Sequence, residues 1–294
     1  MIDRSRWFFC ETLTPLYYTR VYRELSDDER RRYNQLTGML SNELILRLET
    51  GFLDRTLAAL ARRRDRLDDD LITRLRRFRE DEREHARTWR ELNRQSGPEW
   101  YARGDGHFVR TPLAVDLIAS TIARYPLTLP VVFWIQLAQE ERAIAISARC
   151  LRVPADRMEP AYAAAYRAHV RDEVRHVQID RELIERFHAP QSMLMRRATA
   201  AMFRSVVSRF FLTPAGSTRR VIRALVAEHP RLEVLLPRIW TELAAVVEDP
   251  EYHDMMYSRR TTPITFALFD RFPEFHVMAT TLMAYRQGTL RRPA

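Results

Sequence analysis

Among 294 residues there are eight histidines and three Asp-Glu dipeptides, beginning at 28, 81 and 172. Two of those dipeptides are followed by a histidine at the same offset. Asp81-Glu82-Arg83-Glu84-His85 and Asp172-Glu173-Val174-Arg175-His176 both read Asp-Glu-x-x-His. On an α-helix, residues three apart share a face, so each motif aims one carboxylate and one imidazole at the same point. Carboxylate oxygens can bridge two metal ions, and neutral imidazoles complete each coordination sphere. Dinuclear carboxylate sites in four-helix bundles combine two Glu-x-x-His motifs with one Glu from each of two further helices. A lone Glu-x-x-His is commonly a surface ion pair. The repetition is what points to a metal pair.

The two further glutamates have candidates, each with a rival. Glu49 has Ile45, Leu46, Phe52 and Leu53 at its i±3 and i±4 positions, whereas Glu43 has Met39, Leu40, Leu46 and Arg47. Glu141 is flanked by Leu137, Ala138, Ile144 and Ala145, and Glu140 by Gln136, Leu137, Ala143 and Ile144. A buried carboxylate without a partner is costly, so an apolar setting implies a cation. The flanks favour Glu49 over Glu43 and Glu141 over Glu140, with both rivals open. His169, Glu173 and His176 fall at i, i+4 and i+7, on one helix face. Asp81 and Asp172 suit a supporting part, each accepting the free ring N–H of an imidazole on the opposite motif.

Four long helices are needed to position these groups, and the pattern supplies them. Ser26 and Glu29 form a capping box ahead of a periodic segment over about 27–63. Asp68, Asp69 and Asp70 open a second helix reaching about Asn93. Gly97, Pro98, Gly104, Gly106 and Pro112 mark a connector, followed by a short apolar helix. A third long helix is expected over about 127–151 and a fourth over about 157–187, before Pro190. Residues 191–294 are also helical in pattern, broken at Pro214, Pro230, Pro237, Pro250 and Pro263. The expected fold is all-α: a four-helix bundle over about 27–187 with additional C-terminal helices over 191–294, all within a single domain. His188 and His229, next to prolines, are expected at exposed helix ends. Trp89, Phe133, Trp134, Tyr162 and Tyr166 are read as core. His107, His253 and His276 have no ligand-spaced partner.

Composition excludes several other classes. Two cysteines, Cys10 and Cys150, give neither a disulfide framework nor a thiolate zinc site, and point to the reducing cytoplasm. The longest uncharged run, Tyr125–Gln139, is 15 residues, short of the ~20 that span a bilayer. All 48 basic residues are arginine and the net charge is +9. The arginines are interleaved with 39 acids, as on a solvated helix face rather than a nucleic-acid surface. No glycine-rich phosphate loop and no flavin or nicotinamide motif is present.

His-x-x-x-Glu-x-x-His at 169–176, Asp-Glu-x-x-His at 81–85 and the buried glutamates resemble the p-aminobenzoate N-oxygenase (AurF-type) family. The segment LTGMLSNELILRLE, residues 36–49, is similar to that family's first ligand helix. The resemblance covers roughly residues 30–185. It implies a ferritin-like fold and a non-haem di-iron centre that oxidises amines in natural-product biosynthesis. Carried over by position, it implies the ligands Glu49, Glu82, His85, Glu141, His169, Glu173 and His176. Glu82 and Glu173 would bridge the irons, and His169 would share an iron with Glu141 and His176. Three histidines and four carboxylates without thiolate suit iron better than zinc, while manganese or a mixed pair stays open. The family's aryl-carboxylate enzyme holds substrate with an Arg five residues before the first ligand Glu and an Asn four after the third. Leu44 and Ala145 stand there in this chain, so that clamp is missing.

The expected function is therefore an O2-dependent di-iron oxygenase converting a small-molecule amine to hydroxylamine, nitroso or nitro product, with an external electron donor. A C–H hydroxylase or desaturase on the same centre is the alternative within enzymes. A substrate tethered to an acidic carrier protein would fit the positive charge. A non-catalytic ferritin-like iron-binding protein is the alternative from another class, and His169 argues against it. No nucleic acid or membrane partner is expected, and the oligomeric state, homodimer included, is open.

Overall fold

The first helix starts as its capping box requires. The Ser26 hydroxyl accepts the Glu29 N–H, and the Glu29 carboxylate accepts the Ser26 N–H. The computed structural model describes residues 2–110, 113–212 and 216–290. Pro112 and Pro214, two of the expected breaks, lie outside the described residues. The helices run α1 (Asp27–Arg47), α2 (Asp54–Leu60), α3 (Asp69–Ser96), α4 (Pro98–Tyr101), α5 (Leu113–Arg124), α6 (Val131–Cys150), α7 (Pro160–Phe187), α8 (Met193–Val206), α9 (Gly216–Glu228), α10 (Leu236–Ala245), α11 (Pro250–Met256), α12 (Pro263–Arg271) and α13 (Met283–Leu290). Among the described residues there is no strand, only an isolated bridge between Trp7 and Met158.

The fold is all-α and ferritin-like. Helix α1 packs on α3, α3 on α7 and α7 on α6. Helix α3 begins where Asp68 accepts the Leu71 N–H, and α7 begins with Glu159 capping Tyr162 and Pro160 in the first turn. The expected first helix over 27–63 is divided in two. Leu48–Leu53 forms a π-helical turn between α1 and α2. A π turn admits one extra residue to a helical turn and is frequent at functional sites. Here it carries Glu49.

Helix α1 is buried on two sides. One side meets the main core, Leu46 falling in the same buried cluster as Leu71, Phe78 and Trp89 along α3. The other, with Leu36, Met39 and Leu40, packs with Val221, Ile222 and Leu225 of α9 and Ile239 of α10. The N-terminal segment lies across α1, where the Asn34 side chain accepts the Phe8 and Phe9 N–H groups and donates to the Phe9 carbonyl. A Cβ on Gly38 would stand 3.0 Å from the Phe8 side chain, so any larger residue would push the two segments apart by a few tenths of an ångström.

The C-terminal helices cover the outer side of α6. Trp134 stacks on Phe275 at 3.8 Å between ring centres and meets Phe203 and Phe269. The aromatic set is core, as expected. His188 is not exposed: its side chain is fully buried, with Nε2 3.1 Å from the Glu274 carboxylate. Docking of α8 and the Pro273–Thr280 segment covers the helix end that adjacent Pro190 had suggested was open. No described helix is long and apolar enough to cross a membrane.

Candidate metal centre

Seven buried side chains from the π turn and three helices converge in two groups. Glu49, His85 and His169 offer ligand atoms within 4.8 Å of one another, and so do Glu82, Glu140, Glu173 and His176. None is more than 5 % exposed. Glu82 and Glu173 lie between the histidines of the two motifs. His85 Nδ1 is 3.4 Å from Glu82 and 3.5 Å from Glu173, while His176 Nδ1 is 3.2 Å from each. Carboxylates so placed face both groups, as bridging ligands must.

Two expectations about the third and fourth helices are corrected. Glu141 belongs to neither group. Its carboxylate accepts the Ile264 and Thr265 N–H groups at 2.6 and 2.8 Å, capping the first turn of α12, where backbone donors lack partners. Its neighbour Glu140 faces the centre, with Oε2 3.9 Å from His176 Nδ1. The apolar flanks of Glu141 misled because α6 is buried almost all round, so an apolar setting did not single out the bundle-facing side. His169 also sits differently from what the resemblance implied. Its Nε2 is 2.8 Å from Glu173 and 3.6 Å from Glu49, grouping it with Glu49 and His85 rather than with His176.

The supporting carboxylates cross the bundle as expected. Asp172 on α7 lies 3.3 Å from His85 Nε2 on α3, and Asp81 on α3 lies 3.4 Å from His176 Nε2 on α7. Each leaves Nδ1 directed at the centre and fixes the ring. Arg175 joins the two aspartates. His169 presents Nδ1 to the Ser147 hydroxyl at 3.4 Å.

The electrostatics follow from burying so many ionisable groups together. Burial, with the charges of Glu82 and Glu173, pushes the Glu49 carboxyl well above its usual range. Burial would raise Glu82 too, but the adjacent His176 and His85 rings hold it at about 2. Burial and the neighbouring His85 drop His169 to about 3, keeping its imidazole neutral. Both Glu49 oxygens, one oxygen each of Glu82 and Glu173, and His85 Nδ1 have no hydrogen-bond partner although buried. Buried polar atoms are normally paired. Their mutual orientation, and a donor set of oxygens and imidazole nitrogens, fit a pair of divalent ions.

The rival Glu43 is as buried as Glu49 but employed elsewhere. It accepts the His107, Phe108 and Val109 N–H groups and the Tyr101 hydroxyl, holding the connector after α4. Sequence reasoning passed over Asp180 and Gln136. Both are fully buried with unpartnered side-chain atoms, one turn from His176 and Glu140 respectively. An acidic residue four after the second motif's histidine was the available signal for Asp180.

A cavity of about 250 Å³ opens on the centre. Glu49, Glu140 and His169 form part of its wall, facing Leu44, Ile146 and Met256. Ala145 and Ile144 line a different cleft, with Glu141 and Pro263.

A family model described as P-aminobenzoate N-oxygenase AurF matches residues 1–232. No curated protein matches the chain. Helix α11, which supplies Tyr252, Met255 and Met256 to the cavity wall, lies beyond the matched residues.

Proposed function

The chain belongs to the p-aminobenzoate N-oxygenase AurF family, a family of di-iron oxygenases, and from that membership we propose that it oxygenates the nitrogen of a small amine bound in the cavity beside the two ligand groups. The observation that carries this reading is the adjacency of the paired carboxylate–histidine groups and a largely apolar cavity. Two iron ions, when bound, supply O2 activation and electron storage; the protein supplies their placement and the surroundings.

Each side chain then has a defined task. Glu49, His85 and His169 would hold one ion and Glu140 and His176 the other, with Glu82 and Glu173 placed to serve both. Asp172 and Asp81 keep the rings of His85 and His176 oriented by accepting their remaining N–H. Leu44, Ile146, Met255 and Met256 line the approach and exclude water from the reacting nitrogen. Electrons come from an outside donor, because no flavin or nicotinamide motif is present in the sequence. Leu44 replaces the family's arginine. Counted from Glu140 instead of Glu141, the asparagine position is Ile144, which faces away from this cavity. The amine is therefore held differently from p-aminobenzoate in the family's aryl-carboxylate enzyme.

The test is metal content followed by labelled turnover. Protein loaded anaerobically with ferrous iron should hold about two ions per chain. With a chemical reductant, an arylamine panel and ¹⁸O2, label should enter hydroxylamine, nitroso or nitro products. One tightly held zinc, or label entering carbon instead, overturns the reading.

A further inference from the structure

The ligand carboxylates in the cavity wall are not its only charged groups. Arg142 of α6 lines the same cavity, and it is the only Lys or Arg among the described lining residues. It takes part in no ion pair among the described residues. One terminal nitrogen points at the Met256 sulfur at 3.4 Å, and the guanidinium carbon stands 5.5 Å from the Tyr257 ring centre. Its Nε is buried without an acceptor. Elsewhere in this chain half-buried arginines find carboxylates, as Arg79 does with Asp54 and Arg196 with Glu274. A guanidinium keeps its charge in any protein setting and presents a fork of donors suited to a carboxylate.

The charge balance gives this group its meaning. The four ligand carboxylates, Glu49, Glu82, Glu140 and Glu173, match two divalent ions in charge. A loaded centre leaves Arg142 as the uncompensated charge in the wall. Met256 and Tyr257 hold it from a segment outside the family match, and the Tyr257 hydroxyl is fixed by Gln139 at 2.7 Å.

We propose that Arg142 is a specificity-determining residue of this cavity. It binds a carboxylate-sized anionic group on the substrate and so turns the amine toward Glu140 and His169. The amine end of this inference rests on the oxygenase reading; the anion end stands on the unpaired guanidinium. At about 250 Å³ the cavity falls below the usual range of drug-sized sites, so acid and amine share a small scaffold.

The experiment compares p-aminobenzoate with its neutral amide, p-aminobenzamide, by calorimetric titration of iron-loaded protein. Wild type should bind the acid at least tenfold more tightly, with the difference shrinking as salt rises. R142L should weaken the acid at least tenfold and leave the amide within twofold, while R142K keeps part of the preference. Melting temperature and iron content of each variant check folding, and R142K with R142Q replace R142L should it fail to fold. Equal weakening of both probes makes Arg142 a wall element and overturns the inference. So does acid binding unchanged in R142L, which would place the carboxylate on iron, or a wild type with no preference. Retained preference without N-oxygenation would sink the oxygenase reading alone; N-oxygenation without the preference would sink this inference alone.

Discussion

Adjacent residues on an α-helix point about 100° apart, and at Glu140 and Glu141 that angle separates a carboxylate of the metal-side group from the cap of another helix. The consequences of removing each should differ in kind. Glu140→Ala should lower iron to about one ion per chain with little change in melting. Glu141→Ala should keep two ions but lose a buried cap, a loss of roughly 0.5–2 kcal/mol by analogy with N-cap removal. Elemental analysis with thermal melting reads both, and iron loss in the Glu141 variant alone would reverse the assignment. The same residue scale explains why Asp81 and Asp172 were legible in advance. Each precedes a glutamate of its motif by one position, which turns it aside from the centre toward the ring of the facing helix.

Glu49 depends on an element, the π turn at Leu48–Leu53. An extra residue in the turn lets α1 and α2 keep separate registers on either side of the ligand. Removing one residue there restores a continuous α-helix and rotates the two registers against each other. Deleting Gly51 should therefore cost the protein most of the ion held by Glu49, His85 and His169. Gly51→Ala is the control: a Cβ there meets nothing within 4 Å, and no described glycine has positive φ. Two irons per chain in the alanine variant and about one in the deletion is the expected pattern. Full loading in the deletion would mean that the turn is incidental.

At the scale of the whole molecule, the C-terminal helices are fastened to the bundle by a buried charged cluster. The Glu274 side chain is out of contact with solvent, which alone would raise its carboxyl, but Arg196 and His188 hold it down to about 2. A depressed carboxyl contributes stability that is present above its ordinary value of 4.5 and is lost as pH falls toward 2. Discounted for solvent screening of the pair, the contribution is on the order of 1–2 kcal/mol. Urea unfolding from pH 6 to 2 should show wild type losing stability more steeply than Glu274→Gln between about pH 4.5 and 2. Parallel curves would show that the ion pair does not stabilise the docked layer.

Much of the buried carboxylate–histidine cluster could be read without coordinates. Glu82, His85, Glu173, His176 and His169 follow from helical spacing alone, because side chains three, four and seven apart must share a face. Glu49 was favoured by its apolar neighbours, and the capping box at Ser26 and the four long helices by local patterns. What needed tertiary structure was every choice made between elements. Glu140 against Glu141 turned on where α12 places its unpaired N–H groups, more than a hundred residues away in sequence. The burial of His188 depended on Glu274 and Phe275. Arg142 reads as one more arginine among 48. Only the fold, by surrounding it with Met256 and Tyr257 instead of an acid, left its charge facing the cavity. Local periodicity fixes which way a side chain points from its own helix; what stands opposite is set by long-range packing, which no short window of sequence contains.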